Sequence, residues 1–572
     1  MNLNKTFLVA LLSILFFAAV LRLADLDSLP AGLNGDEALE GLDALRIISG
    51  ARPVFLEGSD PREPLYAYLV ALSVKIFGRT PGAVRLPAAT AGIGAIMGIY
   101  LVADSLFNRR TGLMAALIST FTVWPILISR NGVPTSLLPL VLSFSLWSGI
   151  KGWQTGRIRY WVFSGLLMGL AHYIYPSARV IVLTLPLWAA ILCLTGHGHT
   201  LWPGAVYFAG ILGLSVTPLA IHTLNISGGI HLHDVQMSTT SIIASLQSAT
   251  THLVQGLINY RPRLAMVSAI DFTDSPREII INIAEQTYIV MQMFVMKRGG
   301  DLNWRHNIAS RPVFDIIMAS AFVSALILSL SREKRLTIWL CGLWVGVGLL
   351  PVIFSKQPPY FNRATAILPV LFIWPAIGLN WIYQRLTRLF IHQVIALISV
   401  GILLLGSIFI TVRDYSLDSH LARPIVAAAF QLPLTDRPLA VNQFLGVGWQ
   451  GDSLFAQPDT PNPNRQVWIE PSLWGSDWQQ EFLVPLTPDT DFNFRFVDLS
   501  LPSLPPDLAD EILFIVSPGQ EKRLEHLLSS RYSITIGDPE WIEFEGFPDV
   551  HPWYRFSLPY PHYQFVYALV VN

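Results

Sequence analysis

Long apolar runs separated by short polar turns dominate the chain up to about residue 412. A helix needs ~20 apolar residues to cross a bilayer. Eleven segments approach or reach that length: 6–23, 84–107, 111–129, 133–150, 160–177, 179–196, 201–222, 312–331, 336–354, 363–384 and 389–412. A twelfth stretch, "PLYAYLVALSVKIFG" at 64–78, is shorter, begins at Pro64 and contains Lys75. If it lies along the interface, Lys5, Arg109-Arg110, Lys151/Arg157/Arg159, Arg332/Lys334/Arg335 and Arg385/Arg388 all fall on one side. That agrees with the positive-inside rule, and it puts the N-terminus in and the C-terminus out. The segments 24–83 (outer loop one), 223–311 (the large outer loop), the turns at Arg130 and Tyr175–Arg179, and everything after 412 then share the outer face.

After residue 412 the pattern changes. Proline-rich connections ("PDTPNPN", "LPSLPPD") separate short strand-like runs such as "EILFIV" and "FVYALVV". "SPGQEKRLEHLLSSRY" reads as a turn and an amphipathic helix ahead of "SITIG". The fold expected is a polytopic α-helical membrane protein of about eleven transmembrane helices (1–412). A C-terminal soluble α/β domain (413–572) would lie on the extracytoplasmic side of the plasma (inner) membrane.

Composition supports this. Of the 572 residues 52% are hydrophobic and 13% charged, against about 25% charged in soluble domains. The mean hydropathy is +0.48. A net charge of −1 points to neither a nucleic acid nor an acidic polymer as partner. Cys193 and Cys341 both lie in apolar runs and read as packing residues. The flank "ADLDSLPAG" after the first apolar run lacks a small-x-small cleavage site, so that run reads as an uncleaved span.

The candidate chemistry sits at the outer ends of the runs. In "GLNGDEALEGLDALRI", Asn34 is placed to cap a helix, with Glu37 completing a capping box. Asp36, Glu40 and Asp43 share one helix face, and Leu39 and Leu42 another. One reading is a capped amphipathic helix on the membrane surface. The other makes Asp36 a general base for a hydroxyl attacking a sugar on phosphate. Arg62 and Glu63 precede Pro64; Arg62 is either a snorkelling cation or a phosphate ligand. Arg130; His172, Tyr175 and Arg179; and Lys356, Tyr360 and Arg363 interrupt apolar runs on the same face. They are interfacial anchors or the lining of an anionic pocket. "HLHD" carries His231, His233 and Asp234 without a clear further ligand set, so no metal site is assigned. "RGGDLNWRHN" (298–307) is a polar loop suited to the acceptor side.

Together these stretches resemble the GT-C membrane glycosyltransferases, closest to the family 39, protein-mannosyltransferase-like branch that includes the bacterial aminoarabinose lipid A transferases. "NGDEA" is similar to the family's acidic pair in the first outer loop. "DPREPLYAYLVALSVKIFG" is similar to its return segment, and "GAVRLPAATAG" to the arginine-led start of the next span. "SRNGVPTSLLPL" and "HYIYPSARV" are similar to its later outer turns. The resemblance covers roughly residues 5–410. It implies inverting transfer of a sugar from a polyprenyl-phosphate donor to a lipid, glycan or protein acceptor on the outer face. Asp36 would be the base and Glu37 its neighbour. Arg62, Arg130, Arg179 and Arg363 would serve the donor phosphate, and Glu63, His172, Tyr175, Lys356 and Tyr360 would line the substrate pocket. The segment "REPL" departs from the family's "PPL" by placing Glu63 at the first proline. No cofactor is called for, and a divalent cation is compatible but not required. Rival readings are a lipid or polysaccharide transporter or flippase, an O-antigen-type polymerase or ligase, and a non-catalytic scaffold. A transporter would place polar residues near mid-membrane and often show repeated halves.

Overall fold

The computed structural model describes residues 5–57, 61–196, 198–226, 276–329, 335–356, 358–389 and 393–415. Of the remainder it describes 429–430, 432–451, 455–474, 478–488, 491, 493–497, 511–516, 520, 523, 526, 533–536 and 566–571. The histidine-containing "HLHD" stretch lies outside the described residues, as does most of the helix expected at 520–532.

The helices, in order, are α1 (Lys5–Leu23), α2 (Gly35–Ile48), α3 (Leu65–Phe77), α4 (Pro81–Leu106), α5 (Arg109–Thr120), α6 (Val123–Arg130), α7 (Leu138–Thr155), α8 (Ile158–Ala171), α9 (Ser177–Ile181), α10 (Thr184–Leu194) and α11 (Gly198–Ile226). They continue with α12 (Pro276–Gln292), α13 (Ile316–Ser329), α14 (Arg335–Gly348), α15 (Leu350–Ile353), α16 (Leu368–Leu371), α17 (Ile373–Leu389), α18 (Gln393–Arg413), α19 (Leu432–Leu445) and α20 (Trp478–Leu483). Each of the eleven apolar segments of the sequence overlaps one or more helices. Among the described residues, seven helices are long and apolar enough to cross a membrane, or eight if α5 and α6, bent by 61° at their junction, count as one span. α8 and α13 are shorter apolar helices, as is α3. At 1.5 Å per residue α3 is about 20 Å long, too short for a hydrocarbon core of about 30 Å.

The helices pack through small residues, as the lack of a hydrophobic drive between helices in lipid requires. A Cβ on Gly378 of α17 would stand 2.0 Å from the Ala321 carbonyl oxygen of α13, so only glycine permits that crossing. Outward faces carry Phe16, Leu214, Ile316, Leu405 and Phe409, as lipid contact demands.

The chain beyond α18 builds a five-stranded mixed sheet in the order β2-β1-β3-β5-β4. Its strands are β1 (Arg465–Ile469), β2 (Phe494–Phe496), β3 (Glu511–Val516), β4 (Ser533–Ile536) and β5 (Val566–Val571). β1 pairs parallel with β2 and with β3, while β5 pairs antiparallel with β3 and β4. Val467, Ile469, Phe494, Leu513 and Ile515 form its core with Val441 and Leu445 of α19.

This sheet domain is seated on α2 and α3. The Leu33 N–H donates to Thr435 Oγ1 (2.8 Å), and Gln479 Nε2 to the Leu33 carbonyl (3.1 Å). Arg79 donates to the Val484 carbonyl (3.1 Å) and the Ala456 N–H to the Phe77 carbonyl (2.9 Å). The Phe482 ring lies so close to α2 that a Cβ on Gly41 would come within 2.6 Å of it. α2 is therefore covered from above as well as below. The surface-helix expectation is corrected on this point: the part of its polar face that bears Glu40 and Asp43 is buried, at 1% and 3% exposed.

Candidate active site

Three layers converge at the end of the helical bundle where α2, the α8–α9 turn and the segment before α16 meet. The deepest layer holds the backbone. Asn34 caps α2 by accepting from the Glu37 N–H (3.1 Å), and Glu37 Oε2 accepts from the Asn34 N–H (3.1 Å), which is the capping box. Glu37 does more. Its carboxylate receives Arg85 Nε (2.8 Å) and Nη2 (3.0 Å) from α4 and the Gly132 N–H (2.8 Å) from the turn after α6. Arg85 also donates to the carbonyls of Leu26, Pro30 and Gly32. Glu37 and Arg85 are both wholly buried. One ion pair thus ties the loop before α2, α2 itself, α4 and the broken span α5–α6 together. Arg130 belongs to the same layer: it donates to the carbonyls of Leu21 (3.1 Å), Asp25 (3.2 Å) and Leu29 (2.7 Å).

The second layer is a buried charge triad beside it. Arg62 Nε stands 2.8 Å from Glu40 Oε1 in an ion pair, and Arg62 forms a second ion pair with Asp43 of α2. Arg62 is fixed by a short antiparallel bridge between Leu56 and Arg62. Glu40 Oε2 is buried and has no hydrogen-bond partner among the described residues. Burial, helped by the Asp43 and Asp36 carboxylates and opposed by Arg62, pushes the Glu40 carboxyl from 4.5 up to about 8. The folded chain therefore holds a proton that the unfolded chain releases. The contribution of Glu40 to stability is present in full below pH about 4.5 and is lost as pH rises through about 8. Thermal unfolding in detergent across that window should show a falling melting temperature whose slope flattens in Glu40→Gln. An unchanged slope in that variant would assign the loss to other groups.

The third layer is the open one. Asp36, on the first turn of α2, keeps 58% of its side chain exposed and pairs with Arg305 (2.9 Å). Glu63, 3% exposed, pairs with Arg179 of α9. Tyr175 is within electrostatic range of Arg363, Glu63 and Asp36. Arg363 sits over the Tyr360 ring at 5.2 Å and donates to Ser355 Oγ (3.2 Å). The Tyr360 hydroxyl is within range of Arg305, Tyr175, Asp301 and Asp36. The loop that supplies Arg305 is held by Asp301, whose carboxylate accepts from the N–H groups of Phe361 and Asn303 (2.8 Å each) and meets His306 Nδ1 (3.3 Å).

The structure therefore gathers Asp36, Glu63, Tyr175, Arg179, Tyr360 and Arg363 into one cluster. Glu37 lies beneath it as scaffold and Arg62 beside it in the triad. Arg130 is turned into backbone carbonyls, and His172 Nδ1 meets the Met168 carbonyl (2.8 Å). Lys356 is exposed. Reading the sequence missed Arg305, Asp301 and the role of Arg85. A cation at the head of an apolar run was the available signal for Arg85, and the polarity of 298–307 was the signal for the loop.

Comparison with known proteins first gives the class of fold. The oligosaccharyltransferase of Archaeoglobus fulgidus tethered to an acceptor peptide superposes with a TM-score of 0.53 at 13% identity, over 84% of this chain and 63% of that one. The archaeal oligosaccharyltransferase AglB from Archaeoglobus fulgidus in complex with an inhibitory peptide and a dolichol-phosphate gives 0.52 at 13%, with the same coverage. ArnT from Cupriavidus metallidurans bound to undecaprenyl phosphate gives 0.50 at 12%, over 99% of this chain and 98% of that one. The chain spans less than two thirds of the archaeal enzyme's length and nearly all of ArnT's. It has the fold of these two enzymes. The narrower match is of residues 59–222, which fit the model of the family described as dolichyl-phosphate-mannose-protein mannosyltransferase. No curated protein matches the chain.

Proposed function

We propose that this protein is an inverting glycosyltransferase that moves a sugar from a polyprenyl-phosphate carrier to an acceptor at the outer face of the plasma (inner) membrane. The observation that carries this reading is an exposed carboxylate, Asp36, set among the guanidinium groups of Arg305, Arg363 and Arg179 at one end of an apolar bundle. The acceptor hydroxyl attacks the anomeric carbon from the face opposite the phosphate, and its proton passes to Asp36. The bond from that carbon to the phosphate oxygen breaks. The departing polyprenyl phosphate gains a negative charge, which the arginines stabilise more strongly than that of the bound donor. Arg305 moves between two anions in this scheme, from Asp36 to the donor phosphate. The membrane module (1–412) binds the donor, and the tail domain (413–572), seated on α2, bounds the path of a lipid, glycan or protein acceptor.

The test is transfer of radiolabelled sugar from polyprenyl-monophosphate-sugars by purified protein. Arg363→Gln removes one charge-assisted hydrogen bond, worth about 1.5–3 kcal/mol, so its KM for donor should rise by about ten- to a hundredfold. Folded wild-type protein that transfers nothing from any donor in a panel of sugars and acceptors would sink the reading.

A further inference from the structure

Arg22, the last residue but one of α1, is wholly buried. Its Nη1 donates to the Ala18 carbonyl one turn back at 3.4 Å, and its Nε is buried with no hydrogen-bond partner among the described residues. The ionisable groups that act on it are Arg130, a second buried guanidinium, and the Tyr415 hydroxyl, with no carboxylate among them. Burial raises the Tyr415 hydroxyl above its ordinary range, so it supplies no negative charge at neutral pH. Arginine keeps its charge there. A buried charge is costly unless it is paired. Elsewhere the fold pairs its buried arginines: Arg85 with Glu37, Arg62 with Glu40 and Asp43, and Arg311 with Asp414. Arg22 departs from that rule.

Arg22 also lines a small cavity, walled by Gly92 of α4, Ser119 of α5, Ser129 of α6, Ser136 in the turn before α7, and Leu368 of α16. Arg22 Nε and Ser129 Oγ stand 3.1 and 3.0 Å from the position that a Cβ on Gly92 would take, so the glycine lets the guanidinium and the hydroxyl converge. Ser129 Oγ meets the carbonyls of Pro125 and Ile126 (2.8 Å each), and Ser136 Oγ donates to the Val133 carbonyl (2.7 Å). Each hydroxyl has one proton, which either closes such a turn or rotates to a ligand. The cavity has room for about one particle of the size of water. A water molecule fits that space but brings no charge. A tetrahedral oxyanion brings charge but is too large. We propose that the cavity binds a monovalent anion of the halide class, as the counter-ion of Arg22. The anion would brace the 61° bend between α5 and α6 against α1 and α4. This holds whatever sugar or acceptor the protein uses.

The first test is thermal unfolding of the purified full chain in detergent, with chloride or bromide replacing gluconate at constant ionic strength. A ligand of the folded state alone raises the melting temperature by an equal step for each tenfold rise in its concentration above the dissociation constant. Arg22→Met keeps the length of the side chain and removes its charge. General salt effects act on both proteins alike, so the site is read as the difference between them. Wild type should gain stability with either halide relative to Arg22→Met, and the two should respond equally to sulfate. Parallel halide series in the two proteins would overturn the proposal.

The second test needs no variant, and it decides the matter if Arg22→Met does not fold. Crystals of the wild-type chain grown in bromide are measured at the bromine absorption edge. An anomalous peak within hydrogen-bonding reach of Arg22 Nε supports the proposal. Anomalous peaks confined to other places, with ordinary water density beside Arg22, overturn it.

Discussion

Glu37→Gln should cost this protein its fold rather than its chemistry. The substitution keeps the shape but leaves Arg85, wholly buried, without its counter-charge. Removing one partner of a buried pair costs about 3–5 kcal/mol, a large part of the ~5–15 kcal/mol that keeps a domain folded. The loss would not stay local, because Glu37 also receives the Gly132 N–H and closes the α2 capping box. Expression in membranes should fall sharply, and the surviving fraction should aggregate at lower temperature in detergent. The double variant Glu37→Leu/Arg85→Met tells the two causes apart. If the cost is the stranded charge, the double variant is more stable than the sum of the single losses predicts. If the cost is the lost bonds to Gly132 and to the carbonyls of Leu26, Pro30 and Gly32, the losses add.

That pair also shows where a sequence stops being readable. The cap of α2 is local: Asn34 and Glu37 are three residues apart, and their reciprocal bonds follow from helix geometry alone. The spans were legible because lipid imposes length and polarity on every crossing helix. That charged and aromatic residues stand at the ends of apolar runs was legible, because charge avoids the middle of a crossing helix. Arg85 meets Glu37 across 48 positions and Arg305 meets Asp36 across 269. Neither pairing leaves a periodicity. The face of α2 bearing Glu40 and Asp43 follows from the 3.6 period, but its burial does not. It is covered by Arg62, while an α20 aromatic, Phe482, more than four hundred residues away, closes over Gly41 on another side of the helix. An amphipathic pattern identifies two faces, and only the tertiary fold decides whether the polar one meets water or a partner.

Asp36→Asn is the complementary experiment, expected to spare the fold and abolish transfer. Asp36 is outside the capping box, more than half exposed, and joined to Arg305 in a pair open to solvent. Exposed pairs contribute about 0–1 kcal/mol, so the melting temperature should hardly move. Asparagine fills the same space but accepts no proton at the moment of attack. A positioned general base is worth about 10²–10⁴ in rate, and kcat should fall within that range while KM for the donor changes little. Arg305 sharpens the reading. Freed from Asp36 in the variant, it would bind the donor phosphate at least as well as before, so a lower kcat with an equal or lower KM is the specific signature of a lost base. A fall in kcat/KM carried entirely by KM would instead mean that Asp36 holds substrate. Equal transfer in both proteins would leave Asp36 as a carboxylate placed for the helix dipole alone, and the proton would have to leave by way of another group in the cluster.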